Sequence, residues 1–122
     1  MAQTASEISK RTPEQVFNHH VQALGAEDVA ATVMDYAETA RVITPAGIAQ
    51  GKDAIGKLFA DLFRTLPKAR WNVKTTYVDD ILFLEWTADS DLNSVSDGVD
   101  TFIFKDGLIQ TQTVRFTAVP KK

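Results

Sequence analysis

Val99-Asp100-Thr101-Phe102-Ile103-Phe104-Lys105-Asp106-Gly107-Leu108-Ile109 is the stretch that decides the fold of this 122-residue chain. Asp106-Gly107 is its strongest short hairpin signal, because tight two-stranded turns need residues that tolerate positive φ. Strand alternation puts Gly98, Asp100, Phe102 and Phe104 on one face and Val99, Thr101, Ile103 and Lys105 on the other. A carboxylate thus shares an apolar face with two phenylalanines. A three-residue bulged turn at Lys105-Asp106-Gly107 brings Val114 and Phe116 onto that face and sets Gln112 near Asp100, whereas a two-residue turn would put Thr113 there.

Working back from the hairpin, residues 71–78 and 81–88 are rich in β-branched and aromatic side chains and are split by Asp79-Asp80. The polar stretch 89–94 supplies the next turn, and residues 99–105 and 108–119 complete a four-stranded meander. The first half reads as helix. Thr12-Pro13-Glu14-Gln15 is a helix start with a capping box, and Val16, Phe17, His20, Val21 and Leu24 follow at helical spacing to Gly25, a left-handed terminator. A second helix begins near Glu27-Asp28 and buries Val29, Val33 and Tyr36 or Ala37, and residues 41–44 form a short strand ending at Pro45-Ala46-Gly47. The third helix carries Ile55, Leu58, Phe59, Leu62, Phe63 and Leu66 on one face and stops at Pro67. This order predicts an α+β fold: a curved antiparallel sheet with three helices on its concave face, residues 1–12 being a polar tail and 13–119 a single domain.

Composition narrows the chemistry. With no cysteine, thiolate metal sites and thiol nucleophiles are excluded, and two adjacent histidines, His19 and His20, leave little for a metal site. A net charge of −3, spread along the chain, gives no footprint for nucleic acid or anionic lipid. No apolar run approaches the length of a membrane span and the start lacks a signal-peptide pattern, so a cytoplasmic protein without membrane or nucleic-acid partners is expected. Asp79-Asp80 and Asp89-Ser90-Asp91 lack the glycine and glutamate of a calcium loop and read as turns, and Glu85 falls on the outer face. No phosphate loop or nucleophile elbow occurs.

Asp100 and His20 remain as candidate catalytic groups. Desolvation on an apolar face raises a carboxylate toward the range where it exchanges protons near neutral pH, but Asp100 fits the cap of a backbone bulge near Gly98, or a pair with Arg115 at the sheet edge, equally well. His20 on its helix stripe suits either a core histidine donating to a backbone carbonyl or a catalyst, and His19 turns toward solvent. Trp86 and Tyr36, the latter at the end of the second helix, are wall residues whose polar atoms need partners.

Residues 21–28, the helix to Tyr36-Ala37, the run Ala40-Arg41-Val42-Ile43-Thr44-Pro45-Ala46-Gly47 and the closing hairpin together resemble the ketosteroid isomerase branch of the nuclear transport factor 2-like superfamily, over residues 13–117. The resemblance implies a cone with a deep apolar pocket, which is usually homodimeric through the convex face of the sheet. That isomerase uses a general-base aspartate with a tyrosine and a protonated aspartate as oxyanion donors. Asp100 falls at the protonated aspartate, His20 at the tyrosine and Thr44 at the base; a threonine cannot accept the proton, so steroid isomerase activity is not expected. The surviving imidazole and carboxylate resemble, by residue type, the SnoaL-like polyketide cyclases, where an aspartate takes a proton from an acidic carbon and a histidine assists. The Asp-Arg-Asp pattern of limonene epoxide hydrolase is missing, since residues 81–91 hold no arginine. Two functions follow: cofactor-free proton transfer on a small apolar carbonyl compound by Asp100 and His20, or a non-catalytic ligand-binding or dimerisation module. Tyr36, Thr44, Phe59, Phe63, Trp86, Phe102, Gln112, Val114 and Phe116 are the expected pocket residues. No cofactor is expected.

Overall fold

The computed structural model describes residues 5–121, with side chains from Glu7 onward. Seven strands form one curved sheet in the order β2(Gly47–Gln50), β1(Tyr36–Thr44), β6(Leu108–Arg115), β5(Asn93–Lys105), β4(Ile81–Asp89), β3(Arg70–Val78), with β7(Val119–Pro120) paired to β5. Helices α2(Pro13–Gly25), α3(Val29–Val33) and α4(Lys52–Thr65) pack on the concave side, preceded by α1(Ala5–Ser9). The α+β class and the curved sheet agree with the sequence reading. Among the described residues, no helix is long and apolar enough to cross a membrane.

Local chemistry explains the elements. Thr12 accepts from Gln15 N while its own N–H donates to the Gln15 side chain, the capping box expected for α2. Ile55, Phe59 and Phe63 bury the inner face of α4. On β4, Leu82, Leu84, Trp86 and Ala88 point inward in strict alternation, and on β5 so do Gly98, Asp100, Phe102 and Phe104.

Several expectations are corrected. The second helix is one short turn, capped by Asp28, and the chain enters β1 at Tyr36. The cause is long-range: Ile109 N–H donates to Asp35 O, and Tyr36 pairs with Ile109 in a parallel ladder between β1 and β6, which the helical periodicity of residues 29–37 could not disclose. The sheet therefore includes one parallel pair. Gly25 stays within α2, and the left-handed residue after it is Glu27. The segment ahead of Thr12, read as a polar tail, contains α1. The hairpin closes with a two-residue turn, Asp106 and Gly107 both having positive φ, and Lys105 faces Leu108. A bulge beyond Phe104 then shifts the register by one residue, so Asp100 pairs with Val114 and Phe102 with Gln112. The bulge lies in the strand instead of the turn, yet inward-facing residues match those expected.

Candidate functional site

The concave sheet, α2 and α4 enclose a cavity of about 370 Å³. Its polar lining includes His20 from α2, Asp100 from β5 and Gln112 from β6, with Thr44 at the end of β1. Phe59, Trp86, Phe102, Val114 and Phe116 supply apolar walls. Tyr36 and Phe63, expected to line the pocket, lie behind its surface: both are buried, and Phe63 packs against Phe59. Phe17 and Trp71 line it without having been singled out. Trp71 follows a proline-ended helix at the start of an edge strand, and the tilted Trp71–Trp86–Phe116 wall, with centroids 5.3 Å apart at each step, requires the tertiary curl of the sheet.

Asp100 is 5% exposed and lies at the centre of a hydrogen-bonded chain. Trp86 Nε1 donates to Oδ1 and Gln112 Nε2 to Oδ2, both at 2.8 Å, while the Tyr36 hydroxyl donates to Gln112 Oε1. Tyr36 thereby fixes which end of the Gln112 amide faces the carboxylate. Gly98 permits the arrangement: an added Cβ would sit 2.2 Å from the Trp86 ring, so the indole can lie across Gly98 and reach Asp100 only because that position has no side chain. Burial pushes the Asp100 carboxyl up to about 6, with the Trp86 and Gln112 bonds pulling the other way. Arg115 is not its partner. It pairs with Val99 on the opposite face.

His20 is 1% exposed, edge-on to Tyr36, Phe59 and Phe102 at centroid distances of 5.6–5.7 Å. Burial, reinforced by His19, lowers it to about 3, so it is neutral at pH 7. Among the described residues its Nδ1 has no hydrogen-bond partner, which corrects the reading of a core histidine bonded to a backbone carbonyl. His19 is not simply solvent-facing. It donates from Nδ1 to both oxygens of Asp35 at 2.8 Å. Asp35 is fully buried and also takes Arg11 Nη1 at 3.1 Å. Sequence reasoning missed Asp35. The sequence carries no local signal for it, because its partners Arg11 and His19 meet it only in the tertiary structure. Thr44 is spent on its turn, its Oγ1 donating to Gly47 O and accepting from Ala46 N.

The family model of the SnoaL-like domain matches residues 17–112. The chain belongs to this family. No curated relative matches the SnoaL-like chain. Solved structures share its fold: a nuclear transport factor 2-like protein of unknown function from Cytophaga hutchinsonii has 16% identity and a TM-score of 0.73, with 88% of this chain and 92% of that one covered. A SnoaL-like protein of unknown function from Burkholderia thailandensis has 17% identity and a TM-score of 0.71, covering 85% and 93%. A proposed polyketide cyclase from Sinorhizobium meliloti has 19% identity and a TM-score of 0.69, covering 82% and 93%.

Proposed function

We propose that this SnoaL-like protein binds a small apolar carbonyl compound in the cavity and moves a proton on it without a cofactor, Asp100 acting as general base and His20 contacting the polar end of the substrate. The observation that carries the reading is a buried carboxyl, at about 6, held by neutral donors inside a predominantly apolar cavity. Asp100 takes a proton from the carbon beside the carbonyl, the C–H electron pair becomes the enolate double bond, and the proton returns to another carbon or to oxygen. Nothing is oxidised or reduced. The likeness to the Sinorhizobium structure is consistent with this class of chemistry, as is the size of the cavity, which suits a small ligand.

Deuterium incorporation into 2-tetralone, followed by NMR, is the direct test. The protein should accelerate exchange at the acidic carbon, and Asp100→Asn should lose about 10²- to 10⁴-fold of the acceleration. Exchange no faster than in buffer, together with thermal stabilisation by the ketone, would support the second reading, a binding module, which the engagement of Thr44 in its turn favours.

The partner expected is a second copy. Val78, Ile81, Phe83 and Ile103 are exposed on the convex face, and the Val78–Ile81 and Ile81–Ile103 pairs make them one continuous stripe, with Thr101 opposite Phe83. Sedimentation should give a dimer for the wild type and a monomer for Phe83→Glu; a wild-type monomer at micromolar concentration would exclude it.

A further inference from the structure

Asp35 lies behind His20 and outside the lining of the cavity that His20 and Asp100 share. Its Oδ1 takes Arg11 at 3.1 Å, both oxygens take His19, and Oδ2 is 3.8 Å from His20 Nδ1. That last separation is too long for a direct hydrogen bond, yet the carboxylate faces a buried nitrogen that has no hydrogen-bond partner among the described residues. Both Asp35 oxygens accept from His19 and Oδ1 also from Arg11, so the group acts here as an acceptor; burial raises its carboxyl, and these two donors oppose the rise. A lone pair on Nδ1 would face this acceptor unfavourably, whereas an N–H would face it favourably. Neutral imidazole has one N–H to place.

We infer that Asp35 is a positioning residue that holds His20 in the Nδ1–H tautomer, so that His20 offers the cavity the lone pair of Nε2 and the site selects a neutral enol or phenol whose hydroxyl donates to it. The inference rests on the proposed use of the cavity for enolisable carbonyl compounds, whose enol form carries the hydroxyl that donates to Nε2 once the proton has returned to oxygen, and reverses the role expected from the family resemblance, in which position 20 donates to an oxyanion. The lining supports the charge preference. Among the described residues, those around the cavity include no lysine or arginine, and its charged members, Asp61 and Asp100, are both acidic. A carboxylate or phosphate ligand would meet no cation of the lining, since Arg64, which pairs with Asp61, is exposed outside it.

The tautomer is read from the ¹⁵N shifts and long-range couplings of the two histidine rings, assigned with His19→Gln. Wild type should show a protonated Nδ1 and a pyridine-like Nε2 at His20, and Asp35→Asn should lose that preference. A protonated Nε2 in the wild type, or an unchanged tautomer in folded Asp35→Asn, would overturn the assignment; if Asp35→Asn fails to fold, the wild-type spectrum still decides. The ligand class is tested with 2-naphthol, 2-methoxynaphthalene and 2-naphthoate. The phenol should bind at least about 10-fold more tightly than its methyl ether, the carboxylate should bind most weakly, and His20→Phe should erase the preference for the phenol over the ether. Equal binding of phenol and ether, or a preference that survives in His20→Phe, contradicts the inference. None of these readouts needs turnover, so failure to exchange 2-tetralone and failure of the tautomer are separate results.

Discussion

Two buried carboxylates, Asp100 in the cavity lining and Asp35 behind His20 outside it, are handled in opposite ways. Asp100 faces a cavity and is held by an indole N–H and an amide, both neutral, so burial dominates and its carboxyl rises to about 6. Asp35 is sealed from the cavity and held by His19 and the Arg11 guanidinium. Burial raises it as well, but those two partners oppose the rise. Neutral donors leave a carboxyl able to gain and lose a proton, whereas a charged donor ties it into structure. Arg11 also donates from Nε and Nη2 to Gly107 O, so Asp35 secures the start of the chain to the closing hairpin.

Removing each carboxylate should separate the two roles. Asp35→Ala leaves Arg11 and His19 facing a void and should cost about 3–5 kcal/mol in urea denaturation; a loss below about 1 kcal/mol would remove its structural role. Next come the proton linkages, which have opposite signs. His20 falls from 6.5 to about 3 on folding, so acidification below 6.5 protonates the unfolded chain first and stability drops. Asp100 rises from 3.8 to about 6, so between these values the folded chain holds a proton the unfolded chain has released, and acidification adds stability. Between pH 6 and 4 the two largely offset one another. Relative to wild type, His20→Phe should gain about 2–3 kcal/mol on going from pH 6 to 4, and Asp100→Asn should lose a similar amount. Slopes of the same sign in both variants would contradict this pairing. Gly98→Ala should cost about 1–3 kcal/mol, because its Cβ meets the Trp86 ring. It should also quench the indole contact to Asp100, visible as a changed Trp86 Nε1–H shift. Smallest is Arg115→Ala. With Arg115 on the outer face opposite Asp100's neighbour Val99, it should leave the Asp100 titration unmoved and change stability by less than about 0.5 kcal/mol.

The same contrast explains what could be read from the sequence. Asp100, Phe102 and Gln112 were legible because strand alternation is local, and they share a face whichever strand position carries the hairpin's extra residue. The capping box of α2 and the apolar stripe of α4 are equally local. Tyr36 was misplaced because β1 exists only through pairing with β6, some seventy residues away in sequence. A further bulge lies between the Trp86–Gly98 and Ala88–Val95 pairs, next to the glycine where the sequence suggests one, but Asp100 takes the Trp86 indole, which Gly98 lets past, a contact only the tertiary packing discloses. Asp35 was invisible for a related reason: its partners Arg11 and His19 are brought to it by the docking of α2 and the segment before it.

The ¹³C carboxylate titration of Asp100, in the free protein, tests the central claim most directly. A midpoint near 6, moving when 2-tetralone is added, is the result expected of a cavity base held by neutral donors. A midpoint near 3.8, indifferent to the ketone, would show an ordinary aspartate and contradict it.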